Sequence, residues 1–218
     1  MSFFHAIPQL AGFLAAEQPM TVLDLMMKGG IIMIPIVLLS LITVYVFIER
    51  MAYIRRFAFI DNGLVSSVSG EIREGHNEKA MQRARNDQAS LGRILEGGLQ
   101  NTGKPLADIE RNLETITNLE ITKMEKNTGY LGIIAGIAPM LGFIGTISGV
   151  IKIFYNISLA DNISIGIIAG GLYQKMICSG AGLIVGVLAY SAYHYIQMRI
   201  DRYSIRLQES LIQFLKAF

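Results

Sequence analysis

The sequence predicts an all-α membrane protein with three transmembrane helices and long cytoplasmic helical extensions. Three observations predict it. Residues 29–48, 129–151 and 176–198 carry no Asp, Glu, Lys or Arg, and each run exceeds the ~18 residues that mark a helix able to cross hydrocarbon. Hydrophobic residues make up 52% of the 218-residue chain and charged ones 17%, and the apolar residues arrive in blocks too long for a globular core. Between the first two runs the apolar residues fall at helical spacing instead, as Ile109, Leu113 and Ile116 do, which reads as amphipathic helix.

Residues 1–28 hold short apolar patches around Phe3, Leu10 and Leu25, interrupted by Pro8 and Pro19. They lack the basic start and cleavage motif of a signal peptide, so an N-terminal amphipathic segment lying on the membrane surface is expected. The first transmembrane helix covers 29–48 and stops at Glu49-Arg50. A cytoplasmic helical domain follows over 49–128, with helix breaks expected at Gly70, Gly75-His76-Asn77, Gly97-Gly98 and Gly103-Lys104-Pro105. No breaker falls between Leu106 and Gly129, so the last of these helices is expected to run straight into the second transmembrane helix, 129–157. The third, 163–198, follows a turn at Asp161-Asn162 and continues into a cytoplasmic tail, 199–218.

Lysine and arginine set the orientation. Of 19 such residues, only Lys28 precedes the first span, twelve lie between Arg50 and Lys126, none lies in the link around Asp161, and Arg199, Arg202, Arg206 and Lys216 follow the third span. The positive-inside rule then places the N-terminus outside and the large middle segment and the tail inside. The same middle segment carries twelve acidic residues, and the whole chain is only +2 at pH 7, so nothing argues for nucleic acid.

Helices reversing at Asp161-Asn162 would pair positions whose numbers sum to about 325, which puts Thr146 level with Ser179 and Lys152 near Lys175. The two hydroxyls can line a proton path, or they can be ordinary packing hydroxyls bonded back to their own helices. Lys175 lies one turn before Ser179; it either snorkels with Lys152 to the outer interface or faces a pore or subunit boundary and pairs with a carboxylate. Small-residue pairs Gly132/Gly136, Gly145/Gly149, Gly166/Gly170 and Gly182/Gly186 allow close helix packing, and Pro139 is tolerated in the second span where neighbours satisfy the freed carbonyl. His5, His76 and His194 lack metal-ligand spacing, so no metal is expected. Cys178, the single cysteine, reads as a small packing residue. No nucleophile, base and orienting group come together as an enzyme would require, and no phosphate-loop or cofactor motif is present.

The run from Ala138-Pro139-Met140-Leu141-Gly142 to Gly145-Thr146-Ile147-Ser148-Gly149 resembles the signature of the MotA/TolQ/ExbB proton-channel family, with further likeness at Ser179-Gly180-Ala181-Gly182 and at Ser90-Leu91-Gly92. Length and three-span layout are most similar to the ExbB branch. The resemblance implies a homopentameric ring in the bacterial inner membrane, with a periplasmic N-terminus and a cytoplasmic C-terminus. The ring would surround an ExbD-like single-span protein that carries the proton-accepting Asp, and would pass energy to a TonB-like protein serving outer-membrane transport. Thr146 and Ser179 would line the proton path, and Gln174, Lys175 and Pro139 would stand at the pore or an interface.

Departures from the family pattern bear on that role. Gln174 stands where the branch commonly has Glu, Ser179 where it has Thr, Leu188 where it has Pro, and His194 where it has Asn. Ser179 keeps the hydroxyl, whereas Gln174 cannot titrate. A TolQ-like role in envelope maintenance and a non-conducting membrane scaffold are the alternatives; a self-sufficient transporter is disfavoured, because three spans offer no inverted repeat and no buried carboxylate.

Overall fold

The computed structural model describes residues 30–159 and 165–218; the expected surface segment 1–28 and the Asp161-Asn162 turn lie outside the described residues. Within them the chain is helical: α1 (Met33–Phe57), α2 (Asn62–Arg73), α3 (Asn77–Asn86), α4 (Ser90–Leu99), α5 (Leu106–Glu125), α6 (Thr128–Leu159) and α7 (Ile165–Leu215). Three of them, α1, α6 and α7, are long and apolar enough to cross a membrane. With 51 residues, α7 extends ~76 Å at 1.5 Å per residue, more than twice a ~30 Å hydrocarbon core. It passes unbroken through Met198 into the expected tail.

Two compact units divide the chain. One takes the residues up to Leu39 with Gly136–Gly186; the other takes Ser40–Ala135 with Val187–Phe218. The second has a continuous apolar core at whose centre α4 sits. Leu91, Ile94, Leu95 and Leu99 of α4 are buried against Val65 and Val68 of α2, Ile109 and Leu113 of α5, and Ile200, Leu207 and Phe214 of α7. A start for α4 comes from Asp87, whose carboxylate accepts from the backbone amides of Ala89 (3.0 Å) and Gly92 (3.1 Å), satisfying donors that have no partner within the helix.

Three expectations are corrected here. Gly70 lies inside α2, and Gly97-Gly98 lies inside α4. A Cβ on Gly98 would come within 2.8 Å of the Phe214 ring and 2.9 Å of Leu113 Cδ2, so this glycine makes room for a neighbour rather than ending the helix. The third correction is the junction of α5 and α6, which is not one continuous helix. Asn127 adopts φ +66°, a left-handed conformation that asparagine tolerates better than most residues. The ending of α5 is stabilised from outside: buried Arg50 donates from its guanidinium to the Lys123 carbonyl at 3.1 Å, a last-turn acceptor with no helical partner. Thr128 likewise donates to the Glu125 carbonyl at 2.6 Å.

Glu120 ties α4 to α5. Its carboxylate is 3% exposed and accepts from Arg93 and from Lys123, each at 2.6 Å. Burial pushes the carboxyl up, but the hydrogen bonds and charges of the two cations outweigh it and hold it below the usual glutamate range. A group depressed in the folded state takes up protons more readily when unfolded. The stability it contributes is therefore present above the ordinary glutamate value of about 4.3 and lost as pH falls through the folded value. Chemical denaturation at a series of pH values should show wild type losing stability on acidification below about pH 5. Glu120→Gln should be less stable by about 1–3 kcal/mol at neutral pH, a range that allows for solvent screening of the two part-exposed cations, and should show less of that acid loss. Equal acid slopes in the two proteins would refute the assignment.

Candidate functional site

In the first unit α6 and α7 form an antiparallel seam built from small residues. Moving away from the turn, Ile153 of α6 meets Gly171 of α7, Gly149 meets the stem of Lys175, Gly145 meets Cys178, Gly142 meets the Ser179 backbone, and Ala138 meets Gly182. These contacts lie within a few positions of the register expected from a turn at Asp161-Asn162. The spacing explains the seam: positions 138, 142, 145, 149 and 153 are three or four apart and so share one face of a helix, as do 171, 175, 178 and 182.

The approach is closest where both sides lack a side chain. A Cβ on Gly182 would lie 2.5 Å from the Ala138 carbonyl oxygen and 3.0 Å from Gly142 Cα; one on Gly142 would lie 3.0 Å from Ser179 Cα. At Gly145 the obstacle is the Cys178 thiol, 2.8 Å away. Cys178 is buried, filling the seam as a small apolar group.

Thr146 and Ser179 each follow a seam residue, so helical geometry turns each by about 100° from the centre of the contact. Both are half-buried. The Thr146 hydroxyl donates within its own helix, 2.8 Å to the Phe143 carbonyl and 3.2 Å to the Gly142 carbonyl, which leaves its oxygen free to accept. Lys175 lays its aliphatic stem across Gly149 and brings its ammonium to within 3.8 Å of where a Cβ on Gly30 would be, just ahead of α1. Lys152 is exposed, Pro139 sits half-buried inside α6, and Gln174 lies on α7.

The predicted glycine pairs separate into different environments. Gly145, Gly149 and Gly182 belong to the seam, and Gly186 is buried. Gly132 makes ordinary contact with Tyr193 at 3.9 Å, whereas among the described residues nothing lies within 4 Å of a Cβ added to Gly136 or Gly170. Around Gly136 the surface of α6 is apolar, with Met140, Phe143 and Ile151 each more than 60% exposed, a face suited to lipid or to another chain. Neither α6 nor residues 165–200 of α7 contain an Asp or Glu, so these two spans offer hydroxyls to a proton but no carboxylate.

Sequence reasoning did not single out Gly142, whose role depends on which helix face meets α7. It also set His76 aside. The fold places His76 Nδ1 3.4 Å from Glu71 and 3.3 Å from Glu74, with Arg83 on the other Glu71 oxygen at 3.1 Å. These contacts bridge the turn between α2 and α3, where Gly75 adopts φ +78°.

Comparison with known proteins bears on the same segments. A family model described as the MotA/TolQ/ExbB proton channel family matches residues 86–209, which include α4, α5, α6 and most of α7. A biopolymer transport protein ExbB homolog of Methanothermobacter thermautotrophicus is 28% identical over 185 residues, 83% of this chain and 64% of the relative. ExbB of Salmonella typhimurium is 25% identical over 144 residues, 66% of this chain and 53% of the relative. TolQ of the Tol-Pal system of Haemophilus influenzae is 26% identical over 91 residues, 42% of this chain and 40% of the relative. The chain thus spans less than two thirds of the length of each of these three relatives.

Proposed function

Because this multi-pass membrane chain belongs to the MotA/TolQ/ExbB proton channel family and is most like ExbB, we propose that it is the ring-forming subunit of a proton-driven motor. In this reading five copies surround a single-span partner in the bacterial inner membrane, with the N-terminus periplasmic and the C-terminus cytoplasmic. The complex couples proton flow to a TonB-like protein serving outer-membrane transport. The observation that carries the reading is the composition of the two spans of the α6–α7 hairpin: Thr146 and Ser179 flank their glycine seam, and no carboxylate lies on residues 128–159 or 165–200. A proton relay needs a titratable group, so the hairpin supplies hydrogen-bonding positions and the partner supplies an intramembrane Asp. TolQ-like envelope work uses the same parts and is the second reading, favoured by the match to TolQ.

The test is co-expression with a small single-span protein carrying an intramembrane Asp, followed by reconstitution into liposomes. Proton uptake under an imposed potential is expected only when both proteins are present. A stable joint complex with no uptake would refute the motor and leave the non-conducting scaffold, whereas uptake by this chain alone would refute the need for a partner and point to a self-sufficient transporter. Cysteine labelling at Asn77 should succeed only from the cytoplasmic side.

Lys175 serves the seam by packing. Lys175→Met keeps the stem over Gly149 and removes only the ammonium, so it is expected to retain proton uptake within about twofold and to leave its pH dependence unchanged. A large loss would show that the charge is paired with a carboxylate of another chain.

A further inference from the structure

In the second unit, just beyond the apolar stretches of α1 and α7, a hollow of about 290 Å³ opens between the two helices. Arg55 of α1 and Arg199, Arg202 and Arg206 of α7 line it together with the apolar side chains of Phe59 and Ile60. Among the described residues no acidic side chain lines it; Glu209 lies in an adjoining hollow with Arg206. Among the described residues none of the four arginines takes part in an ion pair, whereas Arg50, Arg83, Arg85 and Arg93 all do. We infer that this hollow binds the phosphate headgroup of an anionic phospholipid.

Depth, charge and shape support that occupant. The uncharged run of α7 ends at Met198, so Arg199 stands at the edge of the hydrocarbon and Arg206 lies ~10 Å further along the axis. The polar headgroup layer adds roughly 5–8 Å to each side of the hydrocarbon core, so Arg199 and Arg202 lie within it and Arg206 stands just beyond, within reach of a long side chain. Positions 199, 202 and 206 are three and four apart and share one face of α7, while Asp201 falls on another. Guanidinium groups bind phosphate through paired N–H donors, and basic pockets between helices at the cytoplasmic end of membrane spans suit anionic headgroups. Met51 and Ile54, which line the hollow on the side nearer the hydrocarbon, offer an apolar wall along which the glycerol backbone and acyl chains would leave the site. A free phosphate would use the arginines but gain nothing from that wall.

The experiment is native mass spectrometry of the full chain in detergent, titrated with phosphatidylglycerol, phosphatidylcholine or inorganic phosphate. Phosphatidylglycerol should be retained in preference to phosphatidylcholine, and equimolar inorganic phosphate should not displace it. Arg199→Gln with Arg202→Gln should weaken retention by at least about tenfold. Arg56→Gln with Lys126→Gln, which removes the same charge outside the hollow, should leave it unchanged. Arg199→Lys with Arg202→Lys keeps the charge and should retain binding partially, so a pocket variant that fails to fold still leaves the idea testable. Equal retention of the two lipids, equal loss in the pocket and control pairs, or displacement by inorganic phosphate would each overturn the proposal.

Discussion

Thr146→Ala combined with Ser179→Ala is expected to abolish proton-driven work while the protein still folds, inserts and assembles. The Thr146 hydroxyl donates only to carbonyls of its own helix, so its loss leaves no donor or acceptor elsewhere in the fold unpaired. Both side chains are half-buried at the seam's edge, not part of its contact centre. Proton uptake by liposomes holding this chain and its partner should fall by about 10²-fold, the scale of losing a positioned proton-transfer group. Thr146→Ser and Ser179→Thr keep the hydroxyls and should keep uptake near wild type. Full uptake in the double alanine variant at normal expression would show that these hydroxyls only pack helices.

The second large effect is structural. Gly182→Leu should destabilise the hairpin by about 3 kcal/mol or more, because the new side chain meets backbone rather than a movable neighbour. The obstacles are the Ala138 carbonyl oxygen at 2.5 Å and Gly142 Cα at 3.0 Å, and neither can turn away without parting the helices. Gly149→Ala should be milder, since the atoms in its way belong to the flexible Lys175 stem. Gly136→Leu, facing open space, should leave the fold of the single chain unchanged. Thermal unfolding in detergent separates the three; an unaltered midpoint for Gly182→Leu would mean that the seam is looser than this geometry requires.

The apolar spans were legible because a run such as 176–198 announces itself residue by residue. The antiparallel register of α6 and α7 was nearly so, because a turn position and a constant rise determine which residues lie level. Choosing the contact face was harder: Thr146 is level with Ser179, yet Gly145 and Cys178 hold the centre. The end of α5 was illegible since Lys126-Asn127-Thr128 contains neither proline nor glycine, and the residue that caps the helix, Arg50, is 73 positions from Lys123. Gly97 and Gly98 misled for a related reason. A glycine admitting Phe214 and a glycine ending a helix look alike until the neighbour is known. The pairing of Arg93 with Glu120 and the meeting of Arg55 with Arg199, Arg202 and Arg206 likewise depend on tertiary proximity that spacing along one chain does not encode.

The buried residues of the last half of α7 carry a phase. Ala189, Ile196, Ile200, Tyr203, Leu207, Ser210 and Phe214 are all buried, and from Ile196 onward they alternate steps of four and three, a mean of 3.6 residues that matches the helical period. An α-helix turns about 100° per residue, so one residue inserted between Tyr203 and Leu207 would swing Phe214 out of the space that Gly98 leaves for it. Seven inserted residues would return it to nearly the same angle, about 10 Å too far along the axis. Length in this part of the chain is therefore discrete. Most insertions break the angular match with α4 and α5, and the insertion that restores the angle loses the axial match, so α7 can neither gain nor lose residues here unless the helices it packs against change with it.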